Sequence, residues 1–253
     1  MSSRVFVGTS GWNYRHWSNG VFYPPGLKQS KWLEYYAQFF DSVEINNTFY
    51  NLPAKHVFTE WHNSTPANFS FAVKANRFIT HMKKLATPEK YVATFLENVG
   101  ELKEKLKVIL FQLPPYWKFN VSRLEELLHY LKHQQIIPDP QCALEIRNTT
   151  WNCNTCHEIL KRYNIALVFA DWPGCFIESP VTSNIVFIRR HGPGNLYGSN
   201  YSNTYLQNQC SQINTYSRTY KNIYVYFNND AMGYAVQNAK MLKELLSKEC
   251  STK

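Results

Sequence analysis

The chain has 253 residues, 44% hydrophobic and 18% charged, which is enough apolar material for a sizeable core and too little charge for a disordered polymer. Lysine and arginine number 27 against 18 acids, a formal net charge of +9. No apolar run approaches the roughly 18 residues that span a bilayer, Ile165 to Ala170 being the longest clear one. The opening Met-Ser-Ser-Arg-Val-Phe-Val-Gly runs into a strand pattern without a signal-peptide core, so a soluble, cytoplasmic protein with no membrane partner is expected.

Strand patterns and helical periods alternate along the chain. Arg4 to Val7 is the first strand, followed by an apolar helix face (Trp32, Leu33, Tyr36, Ala37, Phe40) with Ser30 as its expected cap. Ser42 to Ile45, Ser70 to Lys74 and Val108 to Gln112 are the next strands. Thr87-Pro88 predicts a cap with proline at the first helical position, ahead of Tyr91, Val92, Phe95 and Leu96. Ser122-x-x-Glu125 reads as a capping box opening onto Leu124, Leu127, Leu128 and Leu131. Strands at Cys142 to Ile146, Ala166 to Ala170, Ile185 to Arg189 and Ile223 to Phe227 complete the set, and a last helix is expected from about Ala231 to Ser247.

Alternating strand and helix implies a parallel sheet. Eight such strands in this length suit an α/β fold of the TIM (β/α)8 barrel kind, with residues 1–253 as a single domain. The sixth unit is irregular: residues 172–183 carry Pro173, Gly174 and Pro180 and show no helical period. The alternative, an open doubly wound sheet, lacks support because no Gly-x-Gly-x-x-Gly follows the first strand.

In such a barrel the chemistry sits at the carboxyl ends of the strands, and these ends are polar. Glu44 and Asn46, Lys74, Gln112, Glu145 and Arg147, Asp171, Arg189 and His191, and Asn228 with Asn229 stand there. Side chains two apart on a strand share a face, so Glu145 joins Arg147, Glu44 joins Asn46 and Arg189 joins His191. Interior charges are too costly to leave unpaired, which predicts one network of Glu44, Glu145 and Asp171 against Lys74, Arg147 and Arg189. Two segments contain no acid, from Glu60 to Glu89 and from Glu178 to Asp230, and they concentrate positive charge that suits an anionic small molecule or nucleic acid.

The ordered motifs Gly8-Thr-Ser-Gly-Trp12, Tyr14 and Trp17, Phe22-Tyr-Pro-Pro-Gly26, Val43-Glu-Ile-Asn46 with Phe49-Tyr50, Lys74, Thr80-His81, Phe111-Gln-Leu-Pro-Pro115, Glu145-Ile-Arg147 with Trp151, Arg189-x-His-Gly192, and Tyr226-Phe-Asn-Asn229 with Asn238-Ala239 resemble the DUF72, or YecE-like, family over almost the whole chain. The resemblance implies a TIM barrel similar to the xylose isomerase and endonuclease-IV-like group, and no established reaction. The cysteine-rich stretch after Trp151 departs from that pattern.

Cys153-x-x-Cys156-His157 has the spacing of c-type haem attachment, but without an export signal it reads as a helix start, and the six cysteines read as free thiols. The histidines are scattered and the carboxylates matched by cations, so no metal or other cofactor is expected. Trp12, Tyr14, Trp17, Tyr50, Trp151 and Trp172 are expected near the mouth, where rings stack on a base or sugar. His191-Gly-Pro-Gly194 follows the seventh strand, where barrel loops offer backbone N–H groups to phosphate. The expected function is binding of a phosphate-bearing or other anionic ligand. Lys74, Arg147, Arg189 and His191 would hold the anion, Glu44, Glu145 or Asp171 would move protons, and Asn46, Gln112, Asn228 and Asn229 would orient polar groups. Hydrolysis or phosphoester chemistry is the favoured class. The alternatives are non-catalytic nucleic-acid binding and a carbohydrate hydrolase using Glu44 and Glu145.

Overall fold

The computed structural model describes residues 3–251. Its strands are β1 (Arg4–Thr9), β2 (Ser42–Ile45), β3 (Ser70–Lys74), β4 (Leu106–Gln112), β5 (Cys142–Glu145), β6 (Ala166–Leu167), β7 (Phe169–Trp172), β8 (Cys175–Ile177), β9 (Ile185–Arg190) and β10 (Asn222–Phe227). The α-helices are α1 (Trp32–Tyr36), α2 (Lys55–Asn63), α3 (Pro88–Val99), α4 (Val121–His133), α5 (Asn154–Arg162), α6 (Asn203–Ser217) and α7 (Tyr234–Ser251). None is long and apolar enough to cross a membrane.

The strands form two five-stranded sheets, in the orders β1-β10-β9-β7-β8 and β2-β3-β4-β5-β6. All pairings are parallel except β7 with β8. A parallel bridge joins Ser10 to Glu44 where β1 meets β2. The single sixth strand read from the sequence is divided: Ala166 and Leu167 pair with β5, whereas Phe169 and Ala170 pair with β9. Between them the Val168 N–H donates to Leu144 O at 3.0 Å, so one apolar run serves both sheets. Where the helical period is missing, Trp172 and Cys175 close an antiparallel hairpin instead.

The apolar residues separate into two clusters, as the alternation of strand side chains requires. The larger lies between strands and helices and holds Val43, Val73, Ile109, Leu144 and Val225 with Leu33, Phe58, Phe95, Leu128 and Ile159. The smaller draws only on strands and the residue between β6 and β7: Phe6, Ala72, Val108, Leu110, Ala143, Ala166, Val168, Ala170, Ile185, Phe187, Tyr224 and Tyr226. Residues of both sheets thus share an interior with no helix in it.

Three caps differ from expectation. Thr87 stands ahead of Pro88 at the start of α3, but its side chain makes no cap hydrogen bond. Ser30 lies in a short 3-10 turn ahead of α1 and caps nothing; α1 starts after Lys31 without a side-chain cap. At α4 the cap is Asn120, whose Oδ1 accepts from Arg123 N at 2.9 Å, so Ser122 falls inside the helix and is no capping box. An Asx side chain earlier in the chain won the competition for the same orphan N–H groups.

Gly8 sets how closely β1 and β2 approach. A Cβ there would sit 2.1 Å from the backbone oxygen of Ser42 and 3.0 Å from the Tyr36 hydroxyl. Gly8→Ala must push two backbones apart, and we expect a loss of about 2 to 4 kcal/mol in urea unfolding, in the range of overpacked cores and above. A loss below about 0.5 kcal/mol would show that this seam yields.

Candidate functional site

Arg189, at the end of β9, is fully buried and holds both glutamates. Its Nε and Nη2 donate to Glu44 Oε2 and Oε1 at 2.9 and 2.7 Å, a bidentate clamp, and its Nη1 donates to Glu145 Oε2. Arg147 Nε donates to the other oxygen of Glu145 at 2.7 Å, and the Arg147 guanidinium lies 3.4 Å over the Trp172 ring. His191 Nε2 stands 3.5 Å from Glu145 Oε1, and its Nδ1 is 3.1 Å from the Asn228 amide nitrogen. With that amide donating to Nδ1, the imidazole proton sits on Nε2 and faces Glu145. Burial would raise Glu145, but Arg189 and Arg147 overcome it and hold the carboxyl well below its ordinary range. Burial lowers His191 in spite of Glu145, which favours the uncharged ring.

A cavity of about 410 Å³ adjoins this network through Asn228. Of the residues singled out in the sequence, Trp12, Tyr14, Asn46, Tyr50, Lys74 and Asn228 line it. Gly11, Asn13, Asn47, Tyr197 and Asp230 line it too, and strand-end reasoning missed them. Asp230 stands only two residues beyond Asn228, so extending the same rule past the strand end would have found it. Its carboxyl is raised by burial, with His16 Nε2 at 3.3 Å.

Lys74 is 6% exposed and, among the described residues, is the one lysine or arginine that lines the cavity. Its Nζ sits 4.0 Å over the Phe49 ring. Among the described residues no carboxylate lies within ion-pair distance of it, because the nearby glutamates are taken by the two arginines. Burial, then Arg189 and Arg147, push the amine down to about 7, against the pull of Glu145 and Glu44. Beside it His81 is pushed down to about 4 by burial and by Lys74, with Nδ1 2.9 Å from Thr80 Oγ1 and Nε2 3.4 Å from Gln112 Nε2.

Several expected ligand contacts have other work here. Glu44, Glu145, Arg147, Arg189, His191 and Gln112 gather in one network but are not among the residues that line the cavity, since each carboxylate found a guanidinium first. Trp17 and Trp151 are fully buried and donate their indole N–H groups to Asp230 O at 2.9 Å and Trp117 O at 2.8 Å, so neither offers a face to a ligand. Asp171 accepts from His191 N at 2.6 Å and from the Tyr201 hydroxyl, which fixes the loop after β9. Asn229 is buried, donating to Asn238 Oδ1 at 2.8 Å and Ser199 O at 2.9 Å.

The glycine loop is likewise occupied from within: Gly192 N donates to Tyr201 Oη at 2.7 Å, and Gly194 N and Asn195 N both donate to Ser199 Oγ at 3.1 Å. A serine hydroxyl stands where an anion was expected. Cys156 is buried in α5, and His157 Nε2 meets Asn152 Oδ1 at 2.9 Å. Among the described residues no three His, Cys, Asp or Glu side chains are arranged to hold a metal ion.

A family model described as "Protein of unknown function DUF72" matches residues 6–253. The UPF0759 protein YunF of Bacillus subtilis is 27% identical over 98% of this chain and 96% of its own. The UPF0759 protein YecE of Escherichia coli K12 is 29% identical over 50% of this chain and 43% of its own. The crystal structure of a DUF72 family protein from Thermotoga maritima superposes with a TM-score of 0.85 at 31% identity, covering 96% of this chain and 99% of that one. One from Enterococcus faecalis gives 0.80 at 22% identity, over 96% and 95%, and speaks for the fold alone.

Proposed function

The chain belongs to the DUF72 family of proteins of unknown function, and from that premise and the geometry of the mouth we propose that the cavity binds a small anionic ligand whose charge is met by Lys74. The observation that carries this reading is an amine in a cavity wall without an acceptor of its own. Tyr14, Asn46 and Asn228 surround it with polar groups, and Trp12, Tyr50 and Tyr197 supply apolar wall. Arg189, Glu44, Glu145 and Arg147 act as a positioning network. Two further observations support closure of the two sheets into one eight-stranded barrel, which would put this cavity at its carboxyl end: the Ser10 to Glu44 bridge, and the apolar cluster drawn from strands of both sheets.

Sulfate tests the reading, because its own charge does not change near neutrality. Calorimetry should show binding that is constant below pH 7 and weakens about tenfold per pH unit above it, since the ammonium form is required and the amine titrates at about 7. Lys74→Ala should cost about 1.5 to 3 kcal/mol of binding, the range of a charge-assisted hydrogen bond. Equal sulfate affinity in both proteins would sink the proposal. A carbohydrate hydrolase using Glu44 and Glu145 fits less well, because both carboxylates grip one guanidinium and neither faces the cavity.

Nucleic-acid binding is favoured by one separate feature. Lys83 Nζ lies 5.2 Å from the Phe78 ring and Lys84 Nζ 5.7 Å from Tyr116, which is 67% exposed. Exposed rings under cations suit stacked bases, and such binding would fall steeply with salt.

A further inference from the structure

Anion binding leaves part of the chemistry of Lys74 unused. Its amine is covered on one side by the Phe49 ring at 4.0 Å and open to the cavity. The charged and titratable groups around it are Arg189 and Arg147, which oppose its protonation; Glu145 and Glu44, already bound to those arginines; His81, uncharged at neutral pH; and Asp230 in the cavity wall. A large share of the amine is therefore unprotonated near pH 7, and a desolvated lysine beside other cations is the usual form of an amine nucleophile.

We propose that Lys74 condenses with the carbonyl group of a small 2-oxo carboxylate bound in the mouth cavity. The proposal rests on the anion reading above and narrows it to a ligand class. In a 2-oxo acid the electrophilic carbon is bonded directly to the carboxylate carbon. An anion drawn to Lys74 therefore brings its carbonyl within reach of the same nitrogen, and one side chain serves both roles.

The ammonium that draws the carboxylate first gives a proton to solvent, and the freed lone pair then forms the C–N bond while the carbonyl π pair moves to oxygen. The nitrogen then gives up one proton, a second comes from solvent, and both leave with the carbonyl oxygen as one water. Nothing is oxidised or reduced. The iminium that remains restores a positive charge where the ammonium stood, next to the ligand carboxylate.

Reductive trapping tests this on the full chain. With glyoxylate and cyanoborohydride at pH 7, peptide mapping should find one carboxymethyl adduct, on Lys74. It should form at least about tenfold faster than adducts on exposed lysines such as Lys31 and Lys55, as a desolvated nucleophile does. Saturating oxalate should suppress it, and its rate should rise with pH about a midpoint near 7 rather than near the ordinary lysine value of 10.5. Lys74→Arg should lose that adduct and keep the slow background; should this variant fail to fold, mapping and the pH profile of the unaltered protein still decide. Lys74-dependent oxalate binding without any adduct would overturn the Schiff base and leave the anion reading standing. An adduct that forms as fast with acetaldehyde and ignores oxalate would overturn the ligand class and the anion reading together.

Discussion

Arg189→Met is expected to destabilise the fold by about 3 to 5 kcal/mol, the cost of breaking a buried ion pair from one side. Glu44 and Glu145 are both fully buried, and Glu44 has its two oxygens on this guanidinium. Removing the cation strands Glu44 outright, whereas Glu145 keeps Arg147. Adding Glu44→Gln to the Arg189→Met background should therefore recover part of the loss, a coupling visible only in a double-mutant cycle. Urea midpoints measure it, provided the slope of the transition is unchanged.

The pH dependence has a definite sign. Glu145 is depressed in the folded state below the ordinary 4.5, so it contributes stability above that value which is lost as pH falls through the window beneath it. Unaltered protein should weaken with acid across that window, and Arg189→Met should show a flatter profile there. A cost below about 1 kcal/mol for Arg189→Met would mean that the network is held by something other than these contacts.

Much of the mouth was legible because two simple periods govern it. Alternation along β5 and its extension put Glu145 and Arg147 on one face, and they meet at 2.7 Å. What no period encodes is which cation each acid chooses. Arg189 reaches Glu44 across the interior, 145 positions away in the chain, a consequence of where β9 lies relative to β2. That pairing decides the electrostatics, since it leaves Lys74 as the cation facing the cavity.

The aromatic residues were misplaced for a related reason: an indole after a strand reads the same whether the loop folds inward or outward. At Trp17 and Trp151 the N–H found a backbone carbonyl under the loop, and the ring followed it into the core. In the Gly192 to Gly194 segment the donors were correctly located, but Ser199, a few residues on, satisfies two of the turn's N–H groups.

Lys74→Met is expected to strengthen the fold while weakening sulfate binding by about 1.5 to 3 kcal/mol. In the unfolded chain the amine titrates at the ordinary 10.5 and in the folded protein at about 7, so the folded state holds fewer protons between those values. Stability of the unaltered protein should accordingly rise as pH increases from about 7 to 10.5, and below 7 the full penalty of the buried ammonium is present. At about 1.4 kcal/mol per pH unit this penalty is several kcal/mol, from which loss of the cation over the Phe49 face subtracts about 1 to 2. A net gain of about 2 to 4 kcal/mol at pH 6, shrinking towards zero near pH 10.5, is the expected urea result. Methionine has similar volume and no charge, so repacking contributes little to the difference. A variant no more stable than the unaltered protein at pH 6 would show that Lys74 is paired and solvated in solution, and both the anion site and the amine nucleophile would lose their physical basis. A gain with unchanged sulfate affinity would separate the two, leaving a strained lysine without a ligand. A gain with weakened binding is the signature of a side chain whose cost to the fold is offset only when the cavity is filled.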